Sequence, residues 1–240
     1  TLINKDVLEF DPKEAGLEKE KYSIVANIPY YITGHFLRKF LSEKNHPSKM
    51  VLLVQKEVAE RMIARDEKES LLSMSVKAYG EPKFIETVKR GSFFPMPNVD
   101  SAIISIENIK PFHLEAKLPS DLAVSQPSRD LDVGRPKDAE EKFFKLIHAG
   151  FAQKRKMILG NLADLFGGRE AAGKALLVSS IDPKSRAEDL KINDWKRLTK
   201  NFLIVSTKTN RKIIREANES LISGKSYSTA EELHEDILRD

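Results

Sequence analysis

Asn27-Ile28-Pro29-Tyr30-Tyr31 places an amide, a proline and aromatic rings directly after the apolar run Ser23 to Ala26. That run reads as a buried strand, and ligands in open α/β sheets bind past the C-terminal ends of parallel strands. A proline there stiffens the turn and leaves nearby carbonyls available. Asn27 offers an acceptor and donors, and Tyr30 a flat face. An exocyclic amino group on a planar base needs that set: acceptors aimed at its N–H bonds and a ring to stack on. Transfer of a methyl cation to such a nitrogen needs little beyond holding its lone pair in line with the donor. The same five residues also read as a proline turn packed by two tyrosines, and their local physics leaves both readings open.

The elements that must position these residues follow from hydrophobic periodicity. Met50 to Val54 forms a second apolar run, ending at Gln55-Lys56-Glu57, and Ile32, Phe36, Leu37, Phe40 and Leu41 repeat at helical spacing between the two runs. Strand, helix, strand with this connection length predicts a parallel crossover and an α/β class. The segments 58–63 and 71–79 read as helices, and Phe84 to Arg90 and Ser101 to Glu107 as antiparallel edge strands flanking the loop Gly91 to Asn98. From Lys110 to about Asp138 periodicity gives way to Pro, Ser, Asp and Gly, which marks a linker or loop. Helices are expected over 140–150, 154–166, 169–178 and 192–204. The charged tail carries a helix start capped at Ser228 or Thr229. The expected division is 1–110, 111–137, 138–206 and 207–240. Thr1 leads at once into Leu2-Ile3, a strand-like start.

Several other residues invite chemistry. Of Phe93 and Phe94, one should fill the core and the other face outward, because neighbours in an extended loop point to opposite sides. Asp100 and Ser101 suit fixing the loop through side-chain to backbone hydrogen bonds. In Gln55-Lys56-Glu57, Glu57 complements a helix N-terminus and Lys56 faces solvent, so neither is expected to act as acid or base. Lys154-Arg155-Lys156, preceded by Lys142, Lys145 and His148 with Phe144, Ile147 and Phe151 beneath, predicts a helix apolar on one face and basic on the other. Charge runs are often solvated faces. Three consecutive cations beside a helix start are denser than solvation requires, and this favours phosphate contacts.

Composition bounds the rest. The 240 residues are 40% hydrophobic, long enough for a core divided between a larger and a smaller domain. Forty Lys and Arg against 36 Asp and Glu leave a net charge of +4, which permits nucleic acid without requiring it. There is no cysteine, so disulfides and thiolate metal sites are excluded. No two of the five histidines stand at i, i+4, and no metal site is expected. No apolar run approaches the ~20 residues that span a bilayer. With no basic-then-apolar leader either, a cytoplasmic monomer without membrane contact is the expectation.

Asn27-Ile28-Pro29-Tyr30 resembles the signature of amino-group methyltransferases, in which Asp, Asn or Ser precedes Ile or Leu, Pro, and Tyr or Phe. Its continuation Tyr31-Ile32-Thr33-Gly34 is similar to the form found in the ribosomal RNA adenine-N6 dimethyltransferases. Three further segments resemble that family in the right order: Val54 to Arg61 its strand-to-helix segment, Phe93 to Ser101 its F-x-P-x-P-x-V-D-S loop, and Phe151-Ala152-Gln153-Lys154-Arg155-Lys156 its C-terminal basic motif. The second and fourth of the four motifs favour the small-subunit branch over the resistance-type enzymes of large-subunit RNA.

The resemblance implies a Rossmann-like, S-adenosylmethionine-dependent methyltransferase fold with a small C-terminal helical domain. Asn27 and the backbone of Pro29 would hold the adenine N6, and Tyr30 and Phe93 would stack on the base. Asp6 and Asn27 would contact S-adenosyl-L-methionine, and Lys154, Arg155 and Lys156 would contact RNA. The implied partner is small-subunit ribosomal RNA in the immature subunit, methylated on two adjacent adenosines. Lys5 stands where the family's acidic motif has glycine, and Asn98 where its loop often has lysine. The family's glycine-rich cofactor loop belongs upstream of Asp6, and no such pattern occurs in the chain. The expectation is therefore a fold incomplete at its N-terminus, with weak cofactor binding. A non-catalytic RNA-binding assembly module on the same fold is the alternative.

Overall fold

The computed structural model describes residues 1–114 and 136–203. Four strands, β1 (Ser23–Asn27), β2 (Lys49–Gln55), β3 (Glu81–Val88) and β4 (Ser101–Glu107), form one sheet in the order β1-β2-β4-β3. β1 and β2 are parallel, and both pairings of β4 are antiparallel. The crossover between β1 and β2 is α1 (Thr33–Ser42), which buries Phe36, Leu37, Phe40 and Leu41 on one face. This is the face its i, i+3, i+4 spacing predicts. α2 (Lys56–Ile63) and α3 (Leu71–Lys77) follow β2. α3 opens with a reciprocal cap: Ser70 Oγ accepts from the Ser73 amide at 3.1 Å, and Ser73 Oγ accepts from the Ser70 amide at 2.7 Å.

Three expectations of the strands need correction. Of the two antiparallel strands only β3 is an edge, whereas β4 lies inside the sheet. The reason is composition: Ala102, Ile104, Ser105 and Ile106 are all buried, so both faces of β4 need cover, whereas β3 sets Glu81 and Glu86 in water. β3 also ends at Val88, before Arg90. Leu2 and Ile3 lie in no strand and are 98% and 50% exposed. A strand needs a ladder partner, and the outer edge of β1 pairs with none of the described strands. The first 22 residues run instead through turns that press Val7, Leu8 and Phe10 against the core.

α4 (Pro136–Phe151), α5 (Ile158–Leu162), α6 (Arg169–Val178) and α7 (192–203) pack around Phe143, Leu146, Ile147, Ile158, Leu162, Leu176, Trp195 and Leu198, all fully buried. Their core is continuous with that under the sheet. Phe112 meets Phe143 at 4.9 Å between ring centroids, and the Tyr79 hydroxyl donates to Glu140. Burial pushes the Tyr79 hydroxyl well above its ordinary range, so it stays a donor. A second seam is polar. The Glu69 amide donates to the Glu188 carbonyl at 2.8 Å, and the buried Glu69 carboxylate accepts from Ser73 and Lys77 and lies 3.6 Å from Lys191. The predicted linker falls mainly, and the capped helix at Ser228 or Thr229 wholly, outside the described residues.

Across the sheet, Glu107 accepts from Lys49 at 2.8 Å and Lys83 at 2.6 Å, joining three strands. The hydrogen bond from Lys49, then that from Lys83, holds its carboxyl at about 2. A carboxyl depressed on folding stabilises above its unfolded value, and that stabilisation is lost as pH falls through the folded one. The melting temperatures of the wild type and Glu107→Gln should differ at neutral pH and converge between about pH 4.5 and about pH 2, the interval over which Glu107 protonates. Thermal melts across that range check it.

Candidate functional site

The strand registers bring the predicted residues to one edge. Asn27 lies beside Leu53 in β2, and Gln55 and Val88 both lie opposite Ser101. The C-terminal ends of β1, β2 and β3 and the start of β4 therefore share a rim. Three segments leave it: Ile28 to Ile32, the start of α2, and the loop from Lys89 to Asp100.

Asn27 ends β1 with an exposed side chain that makes no hydrogen bond to the described residues. Ile28, 4% exposed, anchors the turn from below. Pro29 is exposed and precedes a single 3-10 turn, in which its carbonyl accepts from the Ile32 amide at 3.1 Å. One lone pair of that oxygen is thus engaged and the other is available. Tyr30 is half-buried. Its hydroxyl shares a 2.8 Å hydrogen bond with Ser101 Oγ, 71 residues away, and Ser101 is fully buried. Ser101 therefore fixes the ring of Tyr30 rather than a loop amide, a link that sequence spacing does not reveal.

Asp100 does fix the loop through its backbone. Its carboxylate accepts from the Arg90 amide at 3.0 Å and lies 3.4 Å from Lys89, and its carbonyl accepts from the Lys56 amide at 3.0 Å. The Arg90 amide, with Lys89 in support, holds the Asp100 carboxyl below its usual range. Glu57 occupies the first turn of α2, as its place after the strand predicts. Phe93 is half-buried. Phe94 is fully exposed, so the outward member of the pair is Phe94, and neither ring belongs to the fully buried core. The loop is stapled at its base by Asp100 and leaves most of its residues exposed.

Asp6 is exposed, and its Oδ1 accepts from the Leu8 amide at 2.8 Å, closing a turn. Its other oxygen has no partner among the described residues, so Asp6 and Asn27 both present free acceptors. Lys154, Arg155 and Lys156 are exposed and form no ion pair among the described residues. They do not belong to a helix. They form a turn between α4 and α5, because α4 ends at Phe151 and α5 starts at Ile158. Asn161 holds this turn, donating from its amide to Gly150 O at 2.6 Å and Gln153 O at 3.2 Å. Lys154 also borders a groove of about 740 Å³ with Arg61, Arg65 and His148. Glu57 and Glu60 line both this groove and a second one that reaches Lys56, Arg90 and Asn98 at the sheet edge. These grooves join α2 to distant turns, and only the fold brings their residues together.

The fold is the Rossmann-like one of the S-adenosylmethionine-dependent methyltransferases, with a helical region after a mixed sheet. A crystal structure of the 23S rRNA methyltransferase ErmE superposes with a TM-score of 0.58 at 20% identity, covering 83% of this chain and 70% of that one. A dimethyladenosine transferase from Plasmodium falciparum gives 0.60 at 20% identity, covering 82% and 70%. At the level of sequence, the model of the ribosomal RNA adenine dimethylase family matches residues 1–119. Ribosomal RNA small subunit methyltransferase A of Dehalococcoides mccartyi is 38% identical over 198 residues, which make up 82% of this chain and 61% of the relative. The protein of the same name from Fusobacterium nucleatum is 36% identical over 203 residues, 84% of this chain and 69% of the relative. The chain belongs to the ribosomal RNA adenine dimethylase family, and it spans 61% of the length of the first of these relatives.

Proposed function

We propose that this protein transfers methyl groups from S-adenosylmethionine to N6 of adenine in ribosomal RNA. Its substrate is two adjacent adenosines of the small subunit during ribosome biogenesis, and it acts as a monomer in the cytoplasm. The observation that carries this reading is the rim: an exposed, unpartnered Asn27 beside a Tyr30 ring held in place by Ser101.

The amino nitrogen of adenine is a weak nucleophile because its lone pair is delocalised into the ring. Asn27 Oδ1 and the remaining lone pair of the Pro29 carbonyl accept from its two N–H bonds, which fixes the orientation of the nitrogen. Tyr30 and Phe93 supply aromatic faces for the base. Acceptors fixed in advance cost no reorganisation as positive charge develops on nitrogen. S-adenosylmethionine, when bound, supplies an electrophilic methyl group. Asp6 and Asn27 fit contacts to it, since both present free acceptors at the surface. The methylated nitrogen then releases a proton to water. No described side chain is assigned as a base.

Residues 138–206 we assign to RNA binding, with 1–110 as the methyltransferase part. Lys154, Arg155 and Lys156 would meet phosphates, and such contacts are read in the salt dependence. Replacing all three by Ala should weaken binding to any RNA sequence alike. It should also make the slope of log K against log salt shallower by about two to three, as filter binding at several salt concentrations would show. An unchanged slope would remove the turn from the interface. The enzymatic reading is tested by methyl transfer from labelled cofactor to immature small subunits. RNA binding without transfer would indicate a non-catalytic assembly module.

A further inference from the structure

The loop from Lys89 to Asp100 carries an exposed apolar tip that positioning the target base does not use. Phe94 is 101% exposed and Met96 is 61% exposed, whereas the preceding Phe93 is half-buried. A phenylalanine buries on the order of 150–250 Å² when packed, and here nothing in the described chain covers that area. The tip is not free to collapse, because Asp100 staples the loop base through the Arg90 amide and Lys56. The base of the tip holds three cations, Lys56, Lys89 and Arg90, with the carboxylates of Glu57, Glu60 and Asp100 beside them. Lys56 and Arg90 form no ion pair among the described residues, and Lys89, 75% exposed, lies 3.4 Å from Asp100.

An exposed aromatic ring with the unpaired cations Lys56 and Arg90 at its base matches single-stranded nucleic acid, in which a base offers a π face on a strand of phosphates. An apolar protein surface would gain nothing from the cations. We infer that Phe94, with Met96 beside it, stacks on a nucleotide flanking the target adenosine, while Lys56, Lys89 and Arg90 take the adjoining phosphates. This places an unpaired stretch of RNA across the rim and rests on the adenine reading for the position of the target. Phe94 is a positioning residue and makes no contact with the reacting atoms.

The test is a fluorescence titration of the 240-residue chain with a single-stranded oligoribonucleotide carrying 2-aminopurine beside an adenosine pair. Binding should quench the emission. Phe94→Ala should abolish the quench and weaken binding by about tenfold or more, and Phe94→Trp should retain both. Leu2→Ala, at a side chain 98% exposed and outside the part assigned to RNA binding, should change neither. Unchanged quench and affinity in Phe94→Ala, or no binding by the unmodified chain, would overturn the inference. Methyl transfer failing while Phe94→Ala still loses the quench would retire the enzymatic reading and leave the contact. Transfer that depends on Asn27 beside an unaffected Phe94→Ala titration would do the reverse.

Discussion

Asn27→Ala should lower methyl transfer to adenine N6 by about a hundredfold or more and leave the fold intact. The two halves of that expectation have separate causes. The side chain is exposed and makes no hydrogen bond to the described residues, so its removal opens no cavity and strands no buried group. Surface changes of that kind stay within about 0.5 kcal/mol. In the proposed chemistry the rate depends on two acceptors, Asn27 Oδ1 and the Pro29 carbonyl, and Asn27→Ala removes one of them. Asn27 is the last residue of a strand paired with β2, and it is followed by the buried Ile28, so its backbone cannot drift. Asn27→Asp keeps an acceptor and adds a charge, and it should fall between the wild type and Asn27→Ala. Labelled-cofactor kinetics beside thermal melts read both quantities. A lost rate with a lowered melting temperature would mean that the residue supports the fold instead.

Trp195→Ala should produce the largest loss of stability, about 3–5 kcal/mol. The ring is fully buried, stacks on Phe151 at 5.8 Å, and lies so close to α4 that a Cβ on Gly150 would come within 2.2 Å of it. No other side chain at 150 fits without displacing the indole, and Gly150→Ala should cost about 1–3 kcal/mol. The indole N–H has no hydrogen-bond partner among the described residues. Trp195→Phe removes that unpaired donor and should therefore cost less than its lost volume implies. Urea denaturation followed by circular dichroism gives the three values. Trp195→Ala within about 1 kcal/mol of the wild type would show that α7 contributes little to the core. Gly150 and Phe151 lead directly into the basic turn, so Trp195→Ala should also weaken RNA binding.

The parts of this fold legible in the sequence are those fixed by local periodicity. Ser23 to Ala26, Met50 to Val54 and the apolar face of α1 each carry their own signal, and together they dictate a parallel crossover with Asn27 at the C-terminal end of its first strand. What was not legible depends on contacts between distant residues. Nothing near Ser101 announces that its hydroxyl meets Tyr30, and nothing near Glu69 announces Lys191. The interior place of β4 follows from which strand needs cover on both faces, a comparison that the two antiparallel segments do not offer singly. Lys154 to Lys156 follow an amphipathic helix and carry no glycine or proline of their own, so the turn they form is set by Asn161 and the start of α5. Phe94 was one of two adjacent rings, and alternation predicted that they would differ without saying which faces outward.

If the rim around Asn27 and Tyr30 presents adenine N6 for methylation, the fate of the cofactor's labelled methyl group shows it. Immature small ribosomal subunits are incubated with the chain and millimolar labelled S-adenosylmethionine, and the RNA is digested to nucleosides. N6-dimethyladenosine should carry the label with the wild type. It should fall by about a hundredfold with Asn27→Ala, and fall again when Tyr30→Ala is added. No labelled adenosine from a folded protein that binds both the cofactor and the subunit, or equal labelling by Asn27→Ala, would contradict this reading.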